Sequence, residues 1–344
     1  MQKKIIALAI AAAFAAPVSA MAAADGTTFF GSMDGGLRHQ INDSTAAGGT
    51  TDSLAMGQYN TARWGFKSVE DMGDGLKTNL HLETSIAPQS VGAPGVAAAN
   101  PYGIIFDRQA TLGLSSGETT FNMGWNYSLA WNSVIANDPF AGKFNDISYV
   151  KSAAGTVRSG NITVASKFGD VAVAGQYVMN NSSATTQPTT GAGRAVSVNY
   201  AGGPINVGGA YSTTEANAGQ ENSATHMTVG GGFDFGDGKV SVGYAKKATK
   251  TAASDDTNTN MWVGASFNMS SAVALTAAYY KNATNTGASG AVDVEKNRIM
   301  AMVTYAMSKR TSAYLEADTQ TQIGTGGALD VKTSGVSLGL ATTF

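Results

Sequence analysis

The sequence predicts an all-β chain, a roughly 16-stranded antiparallel transmembrane β-barrel, on the strength of three observations. Apolar residues alternate with small or polar ones at a period of two along most of the chain. Very short turns alternate with long polar connections. Beyond the first 22 residues no apolar run approaches the ~20 residues of a membrane-spanning helix. Composition agrees: 42 of 344 residues are Gly and only 13% are charged, against ~25% in a typical soluble domain.

The N-terminus is read first. Lys3 and Lys4 precede an apolar run at 5–16, then Pro17 and small residues, which is the pattern of a secretory signal peptide over residues 1–22. Val18-Ser19-Ala20 and Ala20-Met21-Ala22 both satisfy the small-x-small cleavage rule, so the cut is expected at 20–24 and the barrel over 23–344. Losing Lys3 and Lys4 leaves the mature chain slightly more acidic than the −2 of the full sequence, which excludes the basic surface that nucleic acid requires. Cysteine is absent, so neither disulfides nor thiolate metal sites enter.

The strands follow from the alternation. Val273, Leu275, Ala277 and Tyr279 form one row; Met227, Val229, Gly231, Phe233 and Phe235 another; then Val240, Val242 and Tyr244; Ile299, Ala301, Val303 and Tyr305; Val336, Leu338, Leu340 and Phe344. These are expected to face lipid, and their small or polar partners a wet lumen. Short turns are expected at Gly169-Asp170, Gly202-Gly203-Pro204, Gly236-Asp237-Gly238, Ser270-Ser271 and Ser308-Lys309-Arg310, with long connections at 180–193, 214–223, 249–257, 282–293 and 319–333. Lipid supplies no hydrogen bonds, so the last strand, 334–344, must pair with the first, 27–39.

The same phase assigns the lumen. With Trp64 and Phe66 outward, Arg63, Gly65 and Lys67 point inward. With Gly31, Met33 and Gly35 outward, Ser32, Asp34, Gly36 and Arg38 point inward. Leu76, Thr78, Leu80 and Leu82 likewise leave Lys77, Asn79, His81 and Glu83 in the lumen.

Several stretches resemble the Gram-negative trimeric general porins, and among them the betaproteobacterial branch. The carriers are Phe29-Phe30-Gly31-Ser32-Met33-Asp34-Gly35-Gly36, Thr61-Ala62-Arg63-Trp64-Gly65-Phe66-Lys67 with Glu70-Asp71, Gly75-Leu76-Lys77 leading to Leu82-Glu83, Phe106 to Leu114, Asn137-Asp138-Pro139-Phe140 and the terminal Phe344. The resemblance spans nearly the whole chain. It implies a homotrimer in the cell outer membrane, in contact with outer-membrane lipid and lipopolysaccharide, with the third loop, about 127–145, folded inward to constrict each pore. It also implies that Phe344 is the signal read by the outer-membrane assembly machinery. Arg63 and Arg108 match a basic ladder facing that loop, Arg38 or Lys67 extends it, and Asp138 is the expected loop carboxylate. Two positions depart from the pattern: Trp125 stands where many members carry Arg, and Thr342 where an aromatic residue is usual.

The function implied is passive diffusion of ions and small hydrophilic solutes, without covalent chemistry or cofactor, and with a mild anion preference from the basic ladder. Within channels the other reading is a substrate-selective pore; outside them, a non-channel barrel such as a surface adhesin. Each lumen charge also has a plainer reading as a hydrated group or a salt bridge holding the loop. Gly113-Leu114-Ser115-Ser116-Gly117 matches the nucleophile elbow of hydrolases, but a strand rather than a helix is expected after it, so a hairpin turn is the better reading. His39, His81 and His226 are scattered, and Asp255-Asp256 reads as a solvated loop pair, so no metal site is expected.

Overall fold

The computed structural model describes residues 26–44, 48–86, 106–143, 158–179, 192–215, 223–250, 254–287, 293–324 and 331–344. The expected signal peptide therefore lies outside the described residues. Seventeen strands occur among them: β1 (Gly26–Ser44), β2 (Gly49–Met56), β3 (Arg63–Gly73), β4 (Leu76–Ser85), β5 (Gln109–Ser116), β6 (Thr119–Tyr127), β7 (Arg158–Phe168), β8 (Val171–Val178), β9 (Gly193–Gly202), β10 (Ile205–Thr214), β11 (Ser223–Asp234), β12 (Gly238–Lys250), β13 (Asp255–Asn268), β14 (Val273–Asn285), β15 (Val294–Ala306), β16 (Thr311–Gly324) and β17 (Val331–Thr343). A single helix, α1 (Leu129–Asn137), lies between β6 and β7 among the described residues.

From β3 onward each strand pairs antiparallel with the next, and β17 returns to β1 with Ser32 opposite Thr343 and Ser44 opposite Val331. The described strands thus close into a ring, as a lipid-embedded sheet requires. β2 and β3 both run against β1, β3 along its first residues and β2 along its later ones. They are two halves of one stave, interrupted at residues 57–62, so the segments close into a 16-strand antiparallel barrel. The interruption is absent from the expected strand map.

Alternation places side chains as the sequence predicts. Leu37 and Leu338 are 59% and 56% exposed on the outer face, while their inward neighbours Arg38 and Ser337 are buried. The short turns fall where expected, and Gly113 to Gly117 belongs to the β5–β6 hairpin. The long connections of the second half are shorter than expected, because β12 to β17 continue into their polar ends. Asn258 Nδ2 donates to Thr284 at 2.8 Å and Asn282 Nδ2 to Asn260 at 2.8 Å, so polar side chains pair across the ladder beyond the apolar band.

The described part of the connection from β6 to β7, residues 128–143, folds into the barrel. Ser128 caps α1, its Oγ accepting the Trp131 N–H at 3.2 Å. The helix stops at Asn137 because Pro139 disfavours helical geometry at Asp138, whose ψ is 126°. Trp131, Val134 and Phe140 pack on Ala245, Trp262, Ala278, Tyr280, Met300, Met302 and Tyr314 from the inner faces of β12 to β16. The barrel's apolar core is thus inside the lumen, beneath the third loop. The loop approaches the wall closely at two glycines: a Cβ at Gly230 would lie 2.7 Å from Asn137, and one at Gly264 2.6 Å from Pro139.

Candidate functional site

Opposite the loop's seat, β3 to β7 present a basic wall. Arg63 and Lys67 project inward from β3, His81 and Glu83 from β4, and Arg108 from the turn before β5. Arg108 Nε donates to Glu83 Oε1, Arg63 Nε lies 3.9 Å from the same oxygen, and His81 Nε2 lies 3.5 Å from Glu83 Oε2. Lys67 Nζ sits 4.9 Å above the Phe30 ring.

Tyr127 and Arg158, at the two ends of the third loop, complete the wall. The Tyr127 hydroxyl accepts from Arg108 Nη2 at 2.9 Å and from Arg158 Nη2 at 3.0 Å, with the Arg158 guanidinium 4.6 Å from the ring centre. Arg158 is absent from the sequence-derived site because the strand phase around it is unreadable. Only the closure of β6 on β7 brings it to Arg108. Arg63, Lys67, Arg108 and Arg158 thereby share one stretch of wall with two carboxylates, Glu83 and Asp107, the latter accepting the Ser85 N–H at 2.7 Å. Trp125, in place of the family's Arg, lies in the outward phase with Met123, its Nε1 donating to the Asp107 carbonyl at 2.9 Å.

Arg38 points inward as expected but does not extend the ladder. Its Nη1 lies 3.3 Å from Glu316 and its Nη2 2.8 Å from Asp318, while Arg298 Nη2 donates to Asp318 at 2.7 Å. Two guanidiniums and two carboxylates, matched in formal charge, form a buried network on β1, β15 and β16.

Neither expected pore carboxylate faces the passage. Asp34, 1% exposed, accepts the Tyr59 and Asn60 N–H groups at 2.5 and 3.0 Å, within the interruption between β2 and β3. Asp138, 6% exposed, is turned into the loop's seat rather than toward the ladder: it accepts the Tyr280 O–H at 2.5 Å and the Gly142 N–H at 2.6 Å. Burial pushes its pKa above the ordinary aspartate value. Asn137 anchors the same seat, its carbonyl accepting from Trp262 Nε1 and its side chain from Asn206 Nδ2, both at 2.8 Å. The sequence marks these positions only as a motif; which atoms meet is decided by the wall.

Lys77 lies in the inward phase near the turns, 3.9 Å from Asp71. Phe344 exchanges backbone hydrogen bonds with Gly31 at 3.0 and 3.1 Å, and its ring stacks 5.6 Å from Phe29, beside Trp64 and Phe66. Thr342 pairs its hydroxyl with Thr311 at 3.0 Å.

A closed barrel with an inward loop and a charged lumen is the architecture of a diffusion channel, and comparison with known proteins agrees. Residues 7–324 match the family model described as Gram-negative porin. Outer membrane porin protein 32 of Delftia acidovorans is 26% identical over 330 residues, covering 91% of this chain and 88% of that protein. An outer membrane porin protein of Bordetella pertussis is 27% identical over 281 residues, covering 72% of this chain and 69% of that one. Among solved structures, the anion-selective porin from Comamonas acidovorans superposes with a TM-score of 0.76 at 21% identity, covering 93% of this chain and all of that one. The match over most of its length, on a closed antiparallel barrel, makes this chain a member of the Gram-negative porin family, an outer-membrane porin.

Proposed function

We propose that ions and small hydrophilic solutes cross between the third loop and the wall of β3 to β7, and that this passage favours anions. The observation that carries it is the set Arg63, Lys67, Arg108 and Arg158 on one stretch of wall against two carboxylates, Glu83 and Asp107, while the formal charges around Arg38 cancel. Unbalanced charge in a confined aqueous passage raises the local concentration of counter-ions and repels co-ions. The description of the Comamonas structure names the same preference for that protein. Passage of this kind is passive and calls for no cofactor. Reversal potential in a salt gradient across planar bilayers tests the reading: anion preference is expected, and Arg63→Ala and Arg158→Ala should each reduce it. A cation-selective potential indifferent to Arg63→Ala overturns it.

We further infer that the homotrimer forms through β16, β17, β1 and β2. Outward tyrosines, Tyr177, Tyr211, Tyr244 and Tyr279, ring the loop-side half of β8 to β14, as expected at a lipid interface. The outer face of β16 to β2 instead carries a row of directly opposed leucines, Leu315, Leu338, Leu37 and Leu54. Next to that row, His39 Nδ1 and Asp52 Oδ1 meet at 2.6 Å on the outer surface. An ionisable pair among lipid tails is expensive, and a neighbouring subunit would shelter it. Phe344 at the closure seam is the group for the assembly machinery to read. Lys246 and Lys281, two residues loopward of Tyr244 and Tyr279, would meet lipopolysaccharide phosphates.

A further inference from the structure

The interruption of the second stave is the feature that the porin fold leaves unexplained. A break in a membrane barrel strand removes ladder hydrogen bonds where lipid offers none in return. Here the loss is made good by β1. The Asp34 carbonyl accepts the Gly57 N–H at 2.7 Å, the Asp34 carboxylate accepts those of Tyr59 and Asn60, and Ser32 Oγ donates to the Thr61 carbonyl at 3.3 Å. Asp34 and Ser32 point into the lumen, so residues 57–62 form a shelf on the lumen side of β1.

The shelf carries one large side chain at its tip. The Tyr59 ring packs 5.1 Å from that of Tyr314 on β16, and its hydroxyl accepts from Lys143 Nζ of the third loop at 3.0 Å, the ammonium lying 4.9 Å from the ring centre. The loop also bonds β8, where the Tyr127 carbonyl accepts from Gln176, β10, β13 and β14 through Asn137 and Asp138, and Arg108 through the Tyr127 hydroxyl at its base. Lys143 to Tyr59 reaches the stave that carries Arg63 and Lys67, since Ala62 ends the shelf and Arg63 begins β3.

We propose that this shelf is a gauge for the pore: Asp34 fixes its shape, and Tyr59 is a positioning residue that holds the third loop through Lys143 at a set distance from Arg63. The inference rests on the passage reading for the place of the constriction and on the shelf's own contacts for the rest.

Tyr59→Phe tests it with minimal disturbance, because the ring and its packing on Tyr314 remain and only the hydroxyl that accepts from Lys143 is lost. Open-channel current noise is expected to rise, and liposome swelling should lose part of its discrimination between mono- and trisaccharides. Lys143→Met should do at least as much, because it also removes the ammonium from the Tyr59 ring, and the double variant should add nothing to Lys143→Met. Asp34→Asn keeps an acceptor for the shelf amides and should retain the parent's size discrimination. Unchanged noise and sugar discrimination in Tyr59→Phe, or additive effects in the double variant, overturn the proposal. Reversal potential on Tyr59→Phe reports anion preference separately, so failure of the selectivity reading is distinguishable from failure of the gauge.

Discussion

Glu83 stands among like charges that it partly neutralises, which makes it the residue with the most informative substitution. Glu83→Gln preserves shape and an acceptor for Arg108 while removing the negative charge, so the anion-to-cation permeability ratio should increase, opposite in sign to Arg63→Ala. Loss of the buried charge pair should lower stability by about 3 kcal/mol, measured by thermal unfolding in detergent. At Asp138 the relevant group is Tyr280, whose hydroxyl bonds the buried carboxylate. Tyr280→Phe should destabilise the loop's seat by about 1–3 kcal/mol. Asp138's folded pKa is raised by burial, so its protonation stabilises the seat, fully below the ordinary value near 3.8 and decreasingly as pH rises through the folded value. Tyr280→Phe favours the protonated form further. The gap in unfolding midpoint between variant and parent should therefore narrow as pH falls toward the ordinary aspartate value of 3.8, and a gap that widens contradicts this account.

Among elements, the third loop depends on what the wall lacks. Gly230, Gly264, Ala245 and Ala278 leave room for Asn137, Pro139 and Phe140, and the loop fills it. Gly230→Val would place carbons where the Asn137 side chain lies. The three atoms nearest a Cβ at this glycine all belong to Asn137 and none to the wall's backbone, so the variant should still run as a folded, heat-modifiable barrel on gels while its single-channel conductance rises and becomes noisy. A variant with parent conductance would show that the loop has another seat. These small inward residues are visible in the sequence, but they read there as generic lumen positions. Their meaning depends on α1 lying against them, and contact between residue 137 and residue 230 leaves no trace in local periodicity.

For the whole molecule, the closure seam and the proposed subunit interface share one sector of the barrel. Asp52→Lys would set two cations side by side near the proposed subunit interface when His39 is protonated and remove the pair when it is not. Trimers should be lost on semi-native gels while monomeric barrels persist, and conductance steps should no longer come in threes. Intact trimers in Asp52→Lys would move the interface elsewhere.

The sequence by itself determined the strand phase, the alternation of turns with long connections, and the inward placement of Arg38, Asp34, Arg63, Lys67, His81 and Glu83. Each of these depends on neighbours along the chain, because a period of two is a local property of an extended backbone. What those inward groups do was decided only by the tertiary structure. Arg38 is neutralised by Glu316 and Asp318, Asp34 is consumed in holding the shelf, Asp138 is buried against Tyr280, and Arg158 joins the ladder although its phase was unreadable. Their partners lie far away in sequence and meet only when the sheet closes and the third loop folds inward, so the strand pattern could place the charges but not pair them.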